Sequence, residues 1–256
     1  MYKKNYMTWS EQEIWEHIKD KEIIDHELVK QIFPEMTENK TNKLLHNLYA
    51  KRYLSRARKD LYYNPQKLGA YNKLAFRINE GYLGLNSALR YHNLIEYEDF
   101  TIFVMTRDYR KNVTLNGTQY DIKFIPLNNL FSGFERKDDI YVSSVEKTIF
   151  DCFLKPGYVG FDNITKAVYD ATMDWDKFIG FFKLSDNSAL CQRTGYVLEL
   201  MEGVTSINIP ARVLEHLSER VKTRVKLTPS GGKTTFNRRW MMQDNIGEKN
   251  ILSWWR

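Results

Sequence analysis

The chain holds little cysteine, histidine or proline, and it has no long hydrophobic run. Two cysteines occur among 256 residues, Cys152 and Cys191, without Cys-x-x-Cys spacing. That excludes a disulfide framework and a thiolate zinc cluster. Both fall in apolar helical patterns and are expected to be reduced core thiols of a cytoplasmic protein. His17, His26, His46, His92 and His216 form neither His-x-x-x-His nor His-Glu-x-x-His, so no metal and no cofactor is expected. The longest apolar run, Ile102–Met105, is far below the roughly 20 residues of a membrane helix. The first residues carry lysines with no apolar stretch behind them, so neither a signal peptide nor a membrane partner is expected. Internal repeats and low-complexity linkers are also missing.

What is present suits a folded, basic protein. Hydrophobic residues make up 43%, enough for a sizeable core, and the formal net charge is +6. A basic balance favours polyanionic partners only where the charge clusters.

It clusters near the start. Ser10-Glu11-Gln12-Glu13 reads as a capping box opening a helix with Ile14, Trp15 and Ile18 inward. Asp25 is expected to cap a second helix, with Leu28, Val29, Ile32 and Phe33 inward and Pro34 as its stop. Thr37 would cap a third, with Thr41, Leu44, Leu45 and Leu48 on one stripe. Tyr53–Arg58 and Leu61–Asn64, joined by Lys59-Asp60, predict a short β-ribbon. Three short helices followed by a basic ribbon is the winged helix-turn-helix order, whose third helix enters the major groove.

The outer face of that helix carries Asn39, Lys43 and His46, flanked by Lys40, Asn42 and Asn47; Lys51 and Arg52 follow it. Asparagine can read adenine and lysine can contact guanine or phosphate. Arg56 and Arg58, two apart on the ribbon, share a face with reach to phosphates or a narrow minor groove, and Lys59 adds to them. Between Thr37 and Lys59, Glu38 alone opposes Lys40, Lys43, Lys51, Arg52, Arg56, Arg58 and Lys59. These residues are the candidate DNA-binding set. A winged helix can also serve only as a protein-binding module.

The expected fold is α+β: a winged helix-turn-helix over residues 1–64, then a mixed α/β domain over 66–256. In the second part, 66–95 reads as helical and Phe100–Thr106 as a strand. Val113–Leu115 and Thr118–Ile125 flank Asn116-Gly117, the strongest hairpin signal in the chain. Ile140–Val142 reads as a strand, and Ser143-Ser144-Val145-Glu146 as a second capping box. Further helices are expected near 163–173, 175–183, 187–202 and 211–220, and closing strands at Lys222–Thr228 and Thr234–Met242.

Enzymatic constellations fail. Ser230-Gly231-Gly232-Lys233-Thr234 imitates the end of a phosphate loop but lacks its first glycine and the helix behind it. Ser132-Gly133 with Asp138-Asp139 has the wrong order and spacing for nucleotidyl transfer, and Asp174-Trp175-Asp176 suits a helix start. The chain is expected not to be an enzyme. His92 reads as a structural histidine. Glu146 and Lys147 are either a cap and its neighbour or a functional pair. Gly195, inside a helix, calls for another element packed closely over it. Trp254-Trp255-Arg256 is either a docked anchor or an exposed contact. A second basic stretch alternates cation and neutral residue through Arg220, Lys222, Arg224 and Lys226, with Arg238 and Arg239 further on. As a strand it would line one face with cations, either solvated or facing a polyanion.

Several segments resemble the antitoxin and transcriptional-regulator family of type IV abortive-infection (AbiE) toxin–antitoxin systems. They are LSRARKDLYYNP at Leu54–Pro65, GYLGLNSALRYHNL at Gly81–Leu94, SSVEKTIFDCF at Ser143–Phe153, QRTGYVLELMEG at Gln192–Gly203 and NRRWMMQDN at Asn237–Asn245. Asp60 stands where the family's wing is expected to carry glycine. The resemblance implies an antitoxin-type second domain and a phage-defence operon repressed through promoter inverted repeats by the first domain. It further implies that the second domain counteracts a nucleotidyltransferase-like toxin without requiring a stable complex. It suggests that the cations Arg220, Lys222, Arg224, Lys226, Arg238 and Arg239 serve antitoxicity. A solitary winged-helix regulator with a sensing or partner-binding second domain is the alternative.

Overall fold

The computed structural model describes residues 6–96, 99–229, 232 and 235–255. In chain order the first elements are α1 (Trp9–Ile18), β1 (Ile23–Asp25), α2 (His26–Ile32), α3 (Glu38–Ala50), β2 (Ser55–Arg58), β3 (Leu61–Tyr63) and α4 (Tyr71–Ile78). There follow β4 (Tyr82–Leu83), α5 (Leu85–Tyr91), β5 (Thr101–Thr106), β6 (Val113–Thr114), β7 (Asp121–Pro126), β8 (Phe134–Lys137) and β9 (Ile140–Ser143). The remainder is α6 (Val145–Leu154), α7 (Phe161–Asp170), α8 (Trp175–Leu184), α9 (Ser188–Val204), α10 (Ala211–Ser218), β10 (Val225–Lys226), β11 (Thr235–Asn237), β12 (Met242–Asp244) and α11 (Glu248–Ile251). The class is mixed α+β.

Two compact units emerge. One comprises 1–81, 100–126 and 138–140; the other comprises 82–99, 127–137 and 141–256. The first unit keeps 1–64 whole and adds α4 and the β5–β7 strands to it.

In the first unit, α1, α2 and α3 converge on a core of Ile14, Ile18, Ile24, Val29, Leu44, Leu45, Leu48, Leu54 and Tyr62. Thr41, Leu44, Leu45 and Leu48 are all buried, as their helical spacing predicts. Asp25 caps α2, its Oδ1 accepting from the Leu28 amide at 2.9 Å. The cap of α1 lies two residues earlier than expected. Thr8 and Glu11 form the capping box, with the Thr8 amide donating to Glu11 Oε2 at 2.7 Å. Thr8-Trp9-Ser10-Glu11 fits the same pattern as Ser10–Glu13, and burial of Glu11 decides between them. Thr37 is the N-cap of α3, but its side chain makes no capping bond.

Strand β1 was not expected. It joins the ribbon in the antiparallel order β1-β3-β2, with Ile23 opposite Tyr63 and Ser55 on the other side of Tyr63. Beyond the ribbon, α4 begins only at Tyr71, where Glu22 Oε2 accepts from the amides of Gly69 (2.9 Å) and Ala70 (2.6 Å). The 66–95 region is thus not one helix, because β4 interrupts it. The predicted hairpin forms as antiparallel β6 and β7, with Val113 opposite Ile122, and β5 runs parallel to β7. Its strands are shorter than expected, and Gly117 sits at φ +83° in the turn, where an added Cβ would meet Pro65 Cβ at 2.9 Å.

In the second unit, β4, β9 and the unforeseen β8 lie side by side. Ser144, not Ser143, is the N-cap of α6 and accepts from the Lys147 amide at 3.2 Å. Glu146 instead accepts from the Asp174 amide at 3.1 Å, so the expected capping box is not made. Helix α9 is buried on most sides, with α6, α7 and α10 packed against it. Gly195 meets Trp240 there, which is the close packing its position called for.

The closing strands differ from expectation. Only Val225–Lys226 is strand, parallel to β12, and the second segment splits into β11 and β12, an antiparallel pair. Arg220 lies outside any strand because its backbone closes the turn after α10, its amide donating to the Leu217 carbonyl, and its guanidinium is occupied. Nη1 donates to the carbonyls of Phe182 (3.0 Å) and Ser185 (2.7 Å) at the end of α8. Ser230, Gly231, Lys233 and Thr234 of the phosphate-loop imitation lie outside the described residues, as does Arg256. Among the described residues, no helix is long and apolar enough to cross a membrane.

Candidate nucleic-acid interface

The stripe that buries Thr41, Leu44, Leu45 and Leu48 turns the opposite face of α3 outward. Asn39, Lys40, Lys43 and His46 are exposed, and Asn42 is half-buried. His26 Nε2 contacts the Glu38 carbonyl at 3.2 Å and ties the start of α2 to that of α3.

Two expected members of the set turn inward. The carboxylate of Glu11 is almost wholly buried, and Lys51 Nζ is its salt-bridge partner. Lys51 also donates to the Tyr6 carbonyl at 2.8 Å, and Asn47 donates to Glu11. Burial pushes the Glu11 carboxyl up, but the Lys51 ammonium, the Thr8 amide and Asn47 outweigh it and hold it below its usual range. Asn47 on α3 and Lys51 at its C-cap therefore lock α3 to α1. Sequence reasoning missed this because it gave Glu11 no role; the Thr8-x-x-Glu11 spacing was the available signal. Lys51→Ala is expected to lower stability by about 3 kcal/mol, since it strands a buried carboxylate. Because the folded pKa of Glu11 is depressed, its contribution is present above the ordinary value of 4.5 and is lost as pH falls below it. Urea titrations of wild type and variant at neutral and acid pH check both statements.

Arg52 ends α3 in the left-handed region at φ +66°, turning the chain into the ribbon. The Lys59-Asp60 turn places Asp60 at φ +60°, a conformation that glycine adopts freely and aspartate tolerates. Arg56 and Arg58 are both exposed on β2, with a register shift between them: Arg56 faces Tyr62 and Arg58 faces Leu61. Arg58 is partly committed, its Nε donating to the Arg77 carbonyl at 3.0 Å. Arg77 in turn pairs with Asp25. Among the described residues, no ion pair engages Lys40, Lys43, Arg52, Arg56 or Lys59. At the ribbon's base, Ser55 Oγ and Tyr63 Oη both donate to the Asn116 carbonyl, each at 2.9 Å. Burial pushes the Tyr63 phenol up to about 12, so it remains a donor.

The second cationic group splits similarly. Lys222, Arg224, Lys226 and Arg238 are exposed. Arg220 is held by α8, and Arg239 is salt-bridged to Glu199.

Three acids of the enzyme-like pairs make structural contacts. Asp174 caps α8, and Asp176 receives Arg212 at 3.0 and 3.3 Å. Asp139 pairs with Lys73, and Gly133 turns at φ +73°. His92 Nε2 meets the Ser143 carbonyl at 2.8 Å. Trp254 is docked, donating to Thr165 Oγ1 at 2.8 Å beside Tyr169. Among the described residues, no cluster of His, Cys, Asp and Glu is placed to hold a metal ion.

The fold recurs in a mycobacterial protein. A crystal structure of the RV2827C protein from Mycobacterium tuberculosis aligns with 97% of this chain and 95% of its own, with a TM-score of 0.62. The identity is 14%, so the likeness is one of fold. No family model and no curated protein matches the chain.

Proposed function

We propose that this chain is a DNA-binding antitoxin and autorepressor of a type IV toxin–antitoxin operon. Residues 1–64 act as a winged helix-turn-helix, with α2 and α3 as the helix-turn-helix and β2–β3 as the wing. One observation carries the DNA-binding reading. The exposed face of α3 gathers Asn39, Lys40, Lys43 and His46, near Arg52, Arg56 and Lys59, with no ion pair engaging any of these cations among the described residues. Lysine and arginine left without carboxylates lower their mutual repulsion by meeting phosphates. Asn39 and Lys43 would read base edges, and Arg56, Arg58 and Lys59 would hold backbone, the two arginines through the guanidinium nitrogens left over once each Nε donates to a carbonyl of the chain. The double-stranded partner is the inverted repeat in the chain's own promoter. The antitoxin role, against a nucleotidyltransferase-like toxin, rests on the order of the AbiE-like segments.

Binding to the upstream region should weaken steeply with salt, as counterion release requires. Lys43→Ala with Arg56→Ala should weaken binding across sequences and flatten the salt dependence by about one unit of slope per lost phosphate contact. Asn39→Ala should change base preference by about 1–3 kcal/mol at one position of the site. Unchanged operator affinity and salt slope in a folded Lys43/Arg56 double mutant would refute the assignment. Protection from the toxin by a variant that no longer binds the operator tests the antitoxin half separately.

A further inference from the structure

The small C-terminal sheet carries an arrangement that packing within the second unit does not use. Its register sets Lys226, Gln243 and Phe236 in one row across β10, β12 and β11. Their neighbours Met242 and Asp244 on β12 are buried, so the row lies on the outer face. Phe236 leaves 43% of its surface exposed, and the Arg224 guanidinium lies over its ring, 4.4 Å from the centroid. Lys222, Arg224, Lys226 and Arg238 are exposed, and among the described residues none of them is in an ion pair. Arg193 Nε donates to the Lys226 carbonyl at 3.1 Å and holds the edge strand in place.

A half-exposed phenyl ring and four cations without a carboxylate partner among the described residues are each unfavourable for the isolated protein, through apolar surface left in water and through like-charge repulsion. A ligand relieves both only if it offers a flat π-face and regularly spaced anions. Single-stranded nucleic acid does this, because its bases are free to stack while its phosphates follow a basic groove. A duplex hides its base faces, and an acidic protein surface supplies anions but makes no special use of the ring.

We propose that the outer face of the β10-β12-β11 sheet binds single-stranded nucleic acid. One base is taken up at the Phe236–Arg224 pair, and the flanking phosphates are held by Lys222, Lys226 and Arg238. These residues are distinct from those assigned to the duplex.

The test uses the full chain, saturated with unlabelled upstream duplex so that residues 1–64 are occupied, and fluorescein-labelled short oligouridylate and oligodeoxythymidylate. Anisotropy should report binding of one or both, the two arms telling RNA from DNA. Phe236→Ala should weaken binding about tenfold while melting temperature and duplex affinity stay unchanged. Phe236→Leu should lose as much, since it keeps apolar bulk without the π-face, and Phe236→Trp should bind at least as well as wild type. Lys222→Ala with Lys226→Ala should lower the salt slope. Wild-type affinity in Phe236→Leu overturns the proposal. So does binding by neither oligonucleotide, or competition by polyglutamate as effective as by unlabelled oligonucleotide, which would point to an acidic protein.

Discussion

Gly195→Ala is expected to destabilise the protein by about 3 kcal/mol, the reverse of its effect in an open helix. Alanine in place of a helical glycine ordinarily gains up to about 1 kcal/mol. At Gly195 the new methyl would lie 2.1 Å from two carbons of the Trp240 ring. Trp240 cannot easily yield. It is fully buried, its indole Nε1–H donates to Glu199 Oε2 at 2.7 Å, and its carbonyl accepts from Gln192 Nε2 at 2.9 Å. Glu199 and Gln192 both belong to α9, so the helix holds the ring from either side of the glycine. Gly180, in α8, has no atom within 4 Å of its would-be Cβ and serves as the control. Chemical denaturation should place Gly180→Ala at or above wild type and Gly195→Ala well below. A neutral Gly195→Ala would mean that the indole does not close over this position.

The second large effect concerns Lys147, whose side chain is wholly buried and salt-bridged to Asp151 one turn along α6. The ammonium also sits 5.1 Å from the ring centre of Phe150 and 5.7 Å from that of Tyr82. Tyr82 Oη donates to Asp151 Oδ2 at 2.9 Å. Burial pushes the Asp151 carboxyl up to about 6, against the pull of Lys147 and the Tyr82 hydrogen bond, and burial pushes the Lys147 ammonium down. Lys147→Met should cost about 3–5 kcal/mol near neutral pH, because it leaves a buried carboxylate with no countercharge. Lys147→Met with Asp151→Leu should recover most of that loss. The sign of the pH dependence follows from the raised carboxyl. A native pKa above the unfolded one favours folding below about 3.8 and loses that advantage as pH rises through about 6. The deficit of Lys147→Met should therefore be small in acid and grow with pH. A deficit independent of pH would show that lost packing, not the stranded carboxylate, is responsible.

The pair also shows what a sequence can and cannot disclose. Ser143–Phe153 announced a helix, yet capping chemistry and a buried ion pair look alike when only Ser-x-x-Glu-Lys is read. The stripe of α3 was legible because four apolar or small residues at helical spacing admit one inward face. Asp25 and Asn116-Gly117 were legible because capping and tight turns are local chemistry. Cation alternation at 220–227 misled because alternation records only which side chains could share a face. Arg220 instead closes the turn after α10, and its guanidinium reaches carbonyls at the end of α8, more than 30 residues away in sequence. Lys51 was misplaced for the same reason, since its partner Glu11 lies on another helix. Strand β1 is three residues long and takes its identity from pairing with Tyr63, which no local pattern reveals.

The discontinuity of the first unit bears on the order in which the protein is made. By the time residue 64 has left the ribosome, α1–α3 and the ribbon exist as sequence, but the Asn116 carbonyl that receives Ser55 and Tyr63 does not. At roughly 5–20 residues per second, the β6–β7 hairpin follows seconds later. During that interval the hydroxyl of Tyr63, a side chain fully buried in the finished protein, lacks the acceptor it has there. Residues 1–64 are thus synthesised first and completed late, so an mRNA cut short before the hairpin would yield α1–α3 and the ribbon without the carbonyl that receives Ser55 and Tyr63 at its base.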